Sequence, residues 1–123
     1  MITGVQEFKI AKEFPKPLPK ENNSLFEMVM DETISESKGG KPVNLDGFRE
    51  FSVLARFEGP ANGRFAFEIY FDSLTVIREE IELNPAGWIN FAKVYPVYAP
   101  KVGLAVYNPP LNLKVWISFY AGR

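Results

Sequence analysis

Two neighbouring stretches of the chain alternate between apolar residues and predominantly polar ones. Apolar residues occupy the odd positions of residues 51–58 and 65–72, and five of these positions are phenylalanine. Because successive side chains of a β-strand point to opposite faces of the sheet, each stretch predicts a half-buried strand. The residues predicted to be buried are Phe51, Val53, Phe57, Phe65, Phe67, Ile69 and Phe71.

The turn-rich sequence of residues 59–63 separates these two stretches and indicates that they form an antiparallel hairpin. In the preferred register Phe57 lies opposite Phe65, and Phe51 lies opposite Phe71. A slip of one residue would place each phenylalanine opposite a polar neighbour, so the pattern favours this register.

The strand that follows residue 72 has two possible registers. A three-residue loop pairs Ile69 with Ile77 and Glu68 with Arg78, and this register is preferred because it joins opposite charges. A loop longer by two residues places Glu68 opposite Glu80. If these strands belong to different sheets, neither pairing holds.

Further strand-like patterns cover most of the remaining chain. They lie at residues 5–12, 24–32, 75–83, 88–95, 102–107 and 113–120, with a short edge-like piece at 43–45. About eight strands with turns every eight to twelve residues and no convincing helix predict one all-β domain over residues 1–123. The expected architecture is an antiparallel, jelly-roll-like β-sandwich.

Two segments of this domain are expected to lie outside the strands. Residues 15–20 alternate proline with other residues and predict a stiff connector, with a ligand for a proline-binding groove as the alternative. Residues 33–41 are mainly polar and contain Gly39 and Gly40, which predicts a mobile loop.

The composition excludes several classes of function. The chain of 123 residues has no cysteine and no histidine, so it has no disulfide, no thiolate metal site and no Ser-His-Asp triad. We therefore expect a protein that is not an enzyme and that has no cofactor and no metal site.

The net charge of −1 favours neither nucleic acid nor a membrane as partner. No signal peptide or apolar run of about 20 residues is visible, so a cytoplasmic location is the default. A domain of a larger exported protein would look the same.

Residues 46–51 and 67–71, together with the last strand, resemble the galactose-binding-like jelly rolls. That superfamily includes the discoidin, or coagulation-factor type C, domains and many carbohydrate-binding modules. The resemblance is one of pattern over residues 43–121, and the discoidin cysteines are absent. It implies an eight-stranded jelly roll with a ligand site at the loops of one end, and it assigns no functional residue.

Aromatic and polar side chains around two turns form the candidate ligand site. They are Trp88, Asn90, Lys93, Tyr95 and Tyr98. Aromatic faces combined with amide and charged groups are suited to binding a sugar. The alternative interpretation is that these aromatics cap the ends of the core.

A second candidate surface consists of side chains on the face opposite the phenylalanines. Its predicted members are Leu54, Tyr70, Trp116 and Tyr120, with Ala66 beside them. An exposed patch of this kind predicts a homo-oligomer. The alternative is that residues 5–12 and 25–30 cover it within one chain. The sequence thus predicts a non-catalytic module that acts through self-association or through another protein, with carbohydrate binding as the alternative.

Overall fold

The computed structural model describes residues 24–72 and 74–122, and these form β-strands without any helix. The strands are β1 Ser24–Ile34, β2 Lys38–Gly39, β3 Val43–Asn44, β4 Glu50–Glu58, β5 Arg64–Tyr70, β6 Val76–Glu82, β7 Trp88–Pro96, β8 Lys101–Tyr107 and β9 Leu113–Gly122. The predictions for residues 5–12 and 15–20 lie outside the described residues.

The strands form two antiparallel sheets that pack face to face. The first sheet has the order β1-β9-β4-β7, and the second has the order β2-β8-β5-β6, with β3 also paired to β8. Inward-facing side chains of both sheets form the core, which includes all seven residues predicted to be buried. The prediction of an all-β antiparallel sandwich is confirmed.

The predicted hairpin between β4 and β5 is wrong, because the two strands lie in different sheets. Strand β4 pairs with β7 and β9, whereas β5 pairs with β6 and β8. The phenylalanines still meet, but across the interior: the ring centroids of Phe57 and Phe65 are 4.8 Å apart, and those of Phe51 and Phe71 are 6.0 Å apart. The alternation of residues specifies which face is buried, and a five-residue link is long enough to cross the ~10 Å between stacked sheets.

The register predicted for β5 and β6 is confirmed. Ile69 pairs with Ile77 and Glu68 pairs with Arg78. The Arg78 Nη1 donates to Glu68 Oε2 at 2.8 Å, so the charge pair that favoured this register is present.

Strand β1 departs from simple alternation. The register shifts between Met28 and Met30, so Met30 enters the core while Phe26 remains exposed. Both residues have even numbers, so simple alternation would place them on one face. A β-bulge reverses the faces because it adds one residue to the strand.

The predicted loop of residues 33–41 begins inside β1 and contains β2. After β2, the Gly40 amide donates to the Leu104 carbonyl at 2.8 Å, and the Lys41 amide donates to the Val29 carbonyl at 2.9 Å. This segment therefore bridges from the second sheet to the bulge of the first. Its mobility stays a prediction.

We expect the bridge to require glycine at position 40. A Cβ there would lie 2.6 Å from Val29 Cγ1 and 2.9 Å from the Val29 carbonyl oxygen, whereas a Cβ on Gly39 would meet nothing within 4 Å. Gly40→Ala should lower the free energy of unfolding by about 1–3 kcal/mol, because the backbone of Val29 must move. Gly39→Ala is the matched control and should change stability by less than about 0.5 kcal/mol. Urea unfolding of both variants measures the difference, and equal effects would contradict the close approach.

Candidate functional site

The outward-facing side chains of the first sheet stand in rows across its four strands, and together they are called the outer face. Two rows are apolar or carry hydroxyl groups, and in sheet order they read Phe26, Tyr120, Ser52 and Val94, then Met28, Ser118, Leu54 and Ala92. The next two rows contain charged residues and both tryptophans, and they read Asp31, Trp116, Arg56 and Asn90, then Thr33, Lys114, Glu58 and Trp88. These pairs of rows are called the apolar rows and the charged rows.

Three side chains of the apolar rows are open to solvent. Phe26 and Val94 are each 57% exposed and Tyr120 is 45% exposed. Within residues 24–72 and 74–122, no strand packs over this sheet on its outer side. The core already fills the other side, so these side chains have no described partner layer.

An open depression continues the apolar rows beyond the end of β7. Its volume is about 790 Å³, and its lining residues are Gly47, Arg49, Glu50, Val94, Tyr95, Pro96 and Gly122. Because Val94 belongs to both, the exposed apolar surface runs from β7 into this depression.

Arg56 is the centre of the charged rows and is held by three side chains. Its Nε donates to Glu58 Oε2 at 2.7 Å, and its Nη1 donates to Asn90 Oδ1 at 2.9 Å. Its guanidinium carbon lies 4.7 Å from the centroid of the Trp88 ring. The hydrogen bond from Arg56 is the main cause that holds the pKa of Glu58 below its usual value, with Lys114 acting in the same direction. Glu58 is therefore an ionised acceptor at neutral pH.

A second cleft lies over the charged rows. Its volume is about 510 Å³, and it is lined by Asp31, Leu54, Ala55, Arg56, Glu58, Asn90, Phe91, Lys114, Val115 and Trp116. The carboxylates of Asp31 and Glu58 balance the cationic groups of Arg56 and Lys114 in this lining, and Trp116 adds an aromatic side chain.

The structure does not bring the predicted ligand site together. Trp88 and Asn90 lie on the outer face, whereas Tyr95 is only 3% exposed and packs against the core. Lys93 reaches over the Tyr95 ring at the sheet edge, and Tyr98 packs on Phe71 outside the strand. Residues of even and odd number in β7 point to opposite faces, which is why closeness in sequence did not make one site.

The structure also separates the predicted interface residues. Leu54, Trp116 and Tyr120 lie on the outer face, but Tyr70 points outward from the second sheet, because β4 and β5 belong to different sheets. The sequence analysis missed Phe26 and Val94. Val94 alternates with the inward-facing residues of β7, but the bulge in β1 obscures the face of Phe26, and only the sheet order shows that the two residues share a row.

The outer side of the second sheet is polar by comparison. The Tyr70 hydroxyl bonds to Glu68 and to the Tyr107 hydroxyl, and Arg78 bonds to Glu68 and Glu80. Hydrogen bonding to Glu68 is the main cause that raises the pKa of Tyr70. These polar groups satisfy one another, so this side offers little apolar surface.

An ionic contact called the edge clasp joins the two sheets. The Glu79 Oε2 of β6 accepts from Lys93 Nζ at 2.8 Å and from the Tyr95 hydroxyl at 2.6 Å, both on β7. Burial of Glu79 acts to raise its pKa, but the hydrogen bonds from Lys93 and Tyr95 together hold that pKa below its usual value. Burial, followed by the contact with Glu79, raises the pKa of Tyr95. Glu79 is therefore fixed as an ionised acceptor.

The edge clasp should make the free energy of unfolding depend on pH. Because the pKa of Glu79 is lower in the folded protein than its ordinary value of 4.5, its stabilisation is present above that value. The stabilisation is lost as the pH falls through the folded pKa. Glu79→Gln should cost about 1–2 kcal/mol at pH 7, and this difference should shrink as the pH falls below the ordinary value.

Urea unfolding at a series of pH values measures this effect. Glu82→Gln is the control, because Glu82 meets Arg64 at 3.5 Å with both side chains mostly exposed, and it should change stability by less than about 1 kcal/mol. A Glu79→Gln cost that stays constant from neutral pH to acid would contradict the clasp.

Two kinds of feature are absent from the described part of the chain. Residues 24–72 and 74–122 contain no helix that is long and apolar enough to cross a membrane. The same residues contain no group of three or more His, Cys, Asp or Glu side chains placed to hold a metal ion.

Comparisons with known proteins identify no family. No protein family matches the chain, and no curated protein matches it. Among solved structures, the coat protein of Tobacco streak virus is similar, with 9% sequence identity, coverage of 87% of this chain and 91% of that chain, and a TM-score of 0.42. A similarity at this level carries no argument about function. The antiparallel sandwich expected from the galactose-binding-like resemblance is present, while membership of that superfamily stays a prediction.

Proposed function

We propose that this protein is a non-catalytic interaction module that associates with a second copy of itself through the outer face. The observation that carries the proposal is the pair of apolar rows, where Phe26, Val94 and Tyr120 stand exposed on a sheet whose other side already fills the core. Fully burying one such side chain is worth roughly 1.5–3 kcal/mol, so a partner layer gains several of these contributions.

The size of the outer face suits a protein partner. Strands of nine residues are about 30 Å long and four strands are about 19 Å wide, which gives a face of about 600 Å² in plan. Specific interfaces bury about 800 Å² per partner. The projecting side chains and the adjoining depression add accessible area to the plan area, so the outer face approaches this value. Two such faces can stack like the sheets of a sandwich.

The charges of the outer face favour a second copy over a partner of opposite charge. In the charged rows Asp31 and Glu58 balance Arg56 and Lys114, and the net charge of the whole chain is −1. A balanced surface selects neither a strongly acidic nor a strongly basic partner and adds little repulsion between copies. A contact of the same surface on both copies is the usual basis of a homodimer.

The absence of catalysis is part of the proposal. The chain has no histidine or cysteine to act as base or nucleophile. Glu79, the most enclosed carboxylate of β6, has a lowered pKa, whereas a catalytic acid needs a raised one.

We expect a sedimentation experiment to show a dimer of twice 14.0 kDa at tens of micromolar. Val94→Arg, on the outer face, should weaken the dimer at least about tenfold, because it places an unpaired charge in the contact. Val76→Arg is the matched control, since Val76 is an exposed valine on the outer side of the second sheet, and it should leave the dimer intact. Far-UV circular dichroism checks that both variants fold.

Two results would overturn the proposal. The first is a wild-type protein that sediments as a monomer. The second is a dimer that resists Val94→Arg but is dissociated by Val76→Arg. If the full chain is a monomer and deletion of residues 1–23 makes it dimerise, that segment and not a second copy occupies the face.

The cleft over the charged rows favours carbohydrate binding as a second candidate function. Trp116 offers an aromatic surface, while Arg56 and Asn90 hold polar groups in fixed positions. Sugars bind through a stacked aromatic face and several hydrogen bonds, and balanced charge suits a neutral ligand. This site differs from the end-loop set predicted from sequence, of which only Trp88 and Asn90 lie near the cleft.

A glycan array tests the second candidate. A sugar held in the cleft should lose binding at least about tenfold with Trp116→Ala, because stacking on the ring disappears, and should be unaffected by Tyr98→Ala. Since the cleft lies on the outer face, the bound sugar should also dissociate the dimer. Binding that depends on Tyr98 and not on Trp116 would contradict this site.

A further inference from the structure

We infer that two copies stack around a two-fold axis that runs parallel to the strands, between β4 and β9 of the outer face. This inference rests on the proposed self-association and specifies how the copies meet. Such an axis turns one sheet face down onto the other, so that β9 of each copy lies over β4 of its partner. Each residue of β9 and β4 then faces the position that is its own neighbour in register, and β1 lies over β7 of the partner copy.

The first reason is the size of the side chains in the apolar rows. Within the chain Tyr120 pairs with Ser52, and Leu54 pairs with Ser118. Across the proposed axis, each large side chain again faces the small one, as close packing of two sheets requires. Ser118 is fully buried, and its hydroxyl has no hydrogen-bond partner among the described residues, so its contribution to this pattern is the small size of its side chain.

The outer strands of the sheet continue this pattern. The axis places Phe26 of β1 over Val94 of the partner copy, beside the depression of about 790 Å³ that Val94 lines. It likewise places Met28 over Ala92. The exposed phenylalanine of the apolar rows therefore lies next to an opening that can accommodate it.

The second reason is the order of charges at the other end of the strands. Lys114 Nζ lies 4.0 Å from Glu58 Oε1 within the chain. The axis places Lys114 of each copy over Glu58 of the other, so four charges of alternating sign meet. It also brings Trp116 over Arg56 of the partner, and a guanidinium near an indole face is a favourable contact.

A two-fold axis perpendicular to the strands is less favourable. It would place each strand over its own copy in the reverse direction, so that Leu54 faces Arg56 and Tyr120 faces Lys114. Charged rows would then lie on apolar rows, and their charges would lose water without gaining partners. The parallel axis sets apolar rows on apolar rows and charged rows on charged rows.

Charge reversal in a mixture of two variants tests the proposed axis. Glu58→Lys and Lys114→Glu should each weaken their own homodimer at least about tenfold, because like charges meet twice across the axis. An equimolar mixture should form a heterodimer, since both cross-axis contacts then join opposite charges. Sedimentation of the separate and mixed proteins, with circular dichroism as the folding check, gives the result.

The general attraction between oppositely charged chains needs its own control. Glu82→Lys and Lys101→Glu change the net charge equally but lie on the second sheet. These variants should dimerise like the wild type, alone and mixed. The axis would be overturned if the control mixture favoured the heterodimer as strongly as the test mixture does. It would also be overturned if the test mixture showed no preference for the heterodimer over the homodimers.

Cross-linking gives a second and independent measurement. The chain has no cysteine, so Ser52→Cys introduces the only thiol. Under the parallel axis the backbones at position 52 lie about 11 Å apart, with both thiols pointing into the contact, and under the perpendicular axis they lie about 22 Å apart. A bismaleimide of about 11 Å should therefore link the dimer. If the variant is a dimer that the reagent does not link, the proposed self-association stands and the parallel axis is overturned. If the wild type is a monomer, both the self-association and the axis are overturned.

Discussion

The packing of β4 against β5 across the interior is the contact on which the rest of the structure depends. The rings of Phe57 and Phe65 and those of Phe51 and Phe71 join the two sheets near opposite ends of the strands. Because side chains alternate along a strand, filling this interior with odd-numbered residues of β4 commits every even-numbered residue to the outside. The outer face is therefore a direct consequence of the core.

The outward-facing side chains of the two sheets differ in polarity and in hydrogen bonding, and this difference supports the proposed self-association. On the second sheet, Glu68, Tyr70 and Arg78 satisfy one another through hydrogen bonds. On the first sheet, the apolar rows form no such network with other described residues, whereas Arg56 organises the charged rows with Glu58 and Asn90. A sheet that is apolar at one end and charge-balanced at the other is suited to contact with a copy of itself.

Alternation along the sequence predicted the faces of the strands but could not predict their neighbours. The same pattern fits two strands that pair side by side and two strands that stack, so the buried positions of β4 and β5 were predicted while their pairing was wrong. The register of Ile69 with Ile77 could be predicted because a short loop and a charge pair constrain it locally. The bulge at Met28 and the separation of Tyr70 from Leu54 depend on long-range pairing, which local patterns do not encode.

If a second copy covers the outer face, the environment of Trp116 changes when the two copies separate. Trp88→Phe leaves Trp116 as the only tryptophan, since the chain has two. On dilution from tens of micromolar to nanomolar, its emission should shift to longer wavelength and become more accessible to a soluble quencher, because the partner leaves. Emission and quenching that stay unchanged over this range, with the β-rich circular dichroism spectrum retained, would contradict the account.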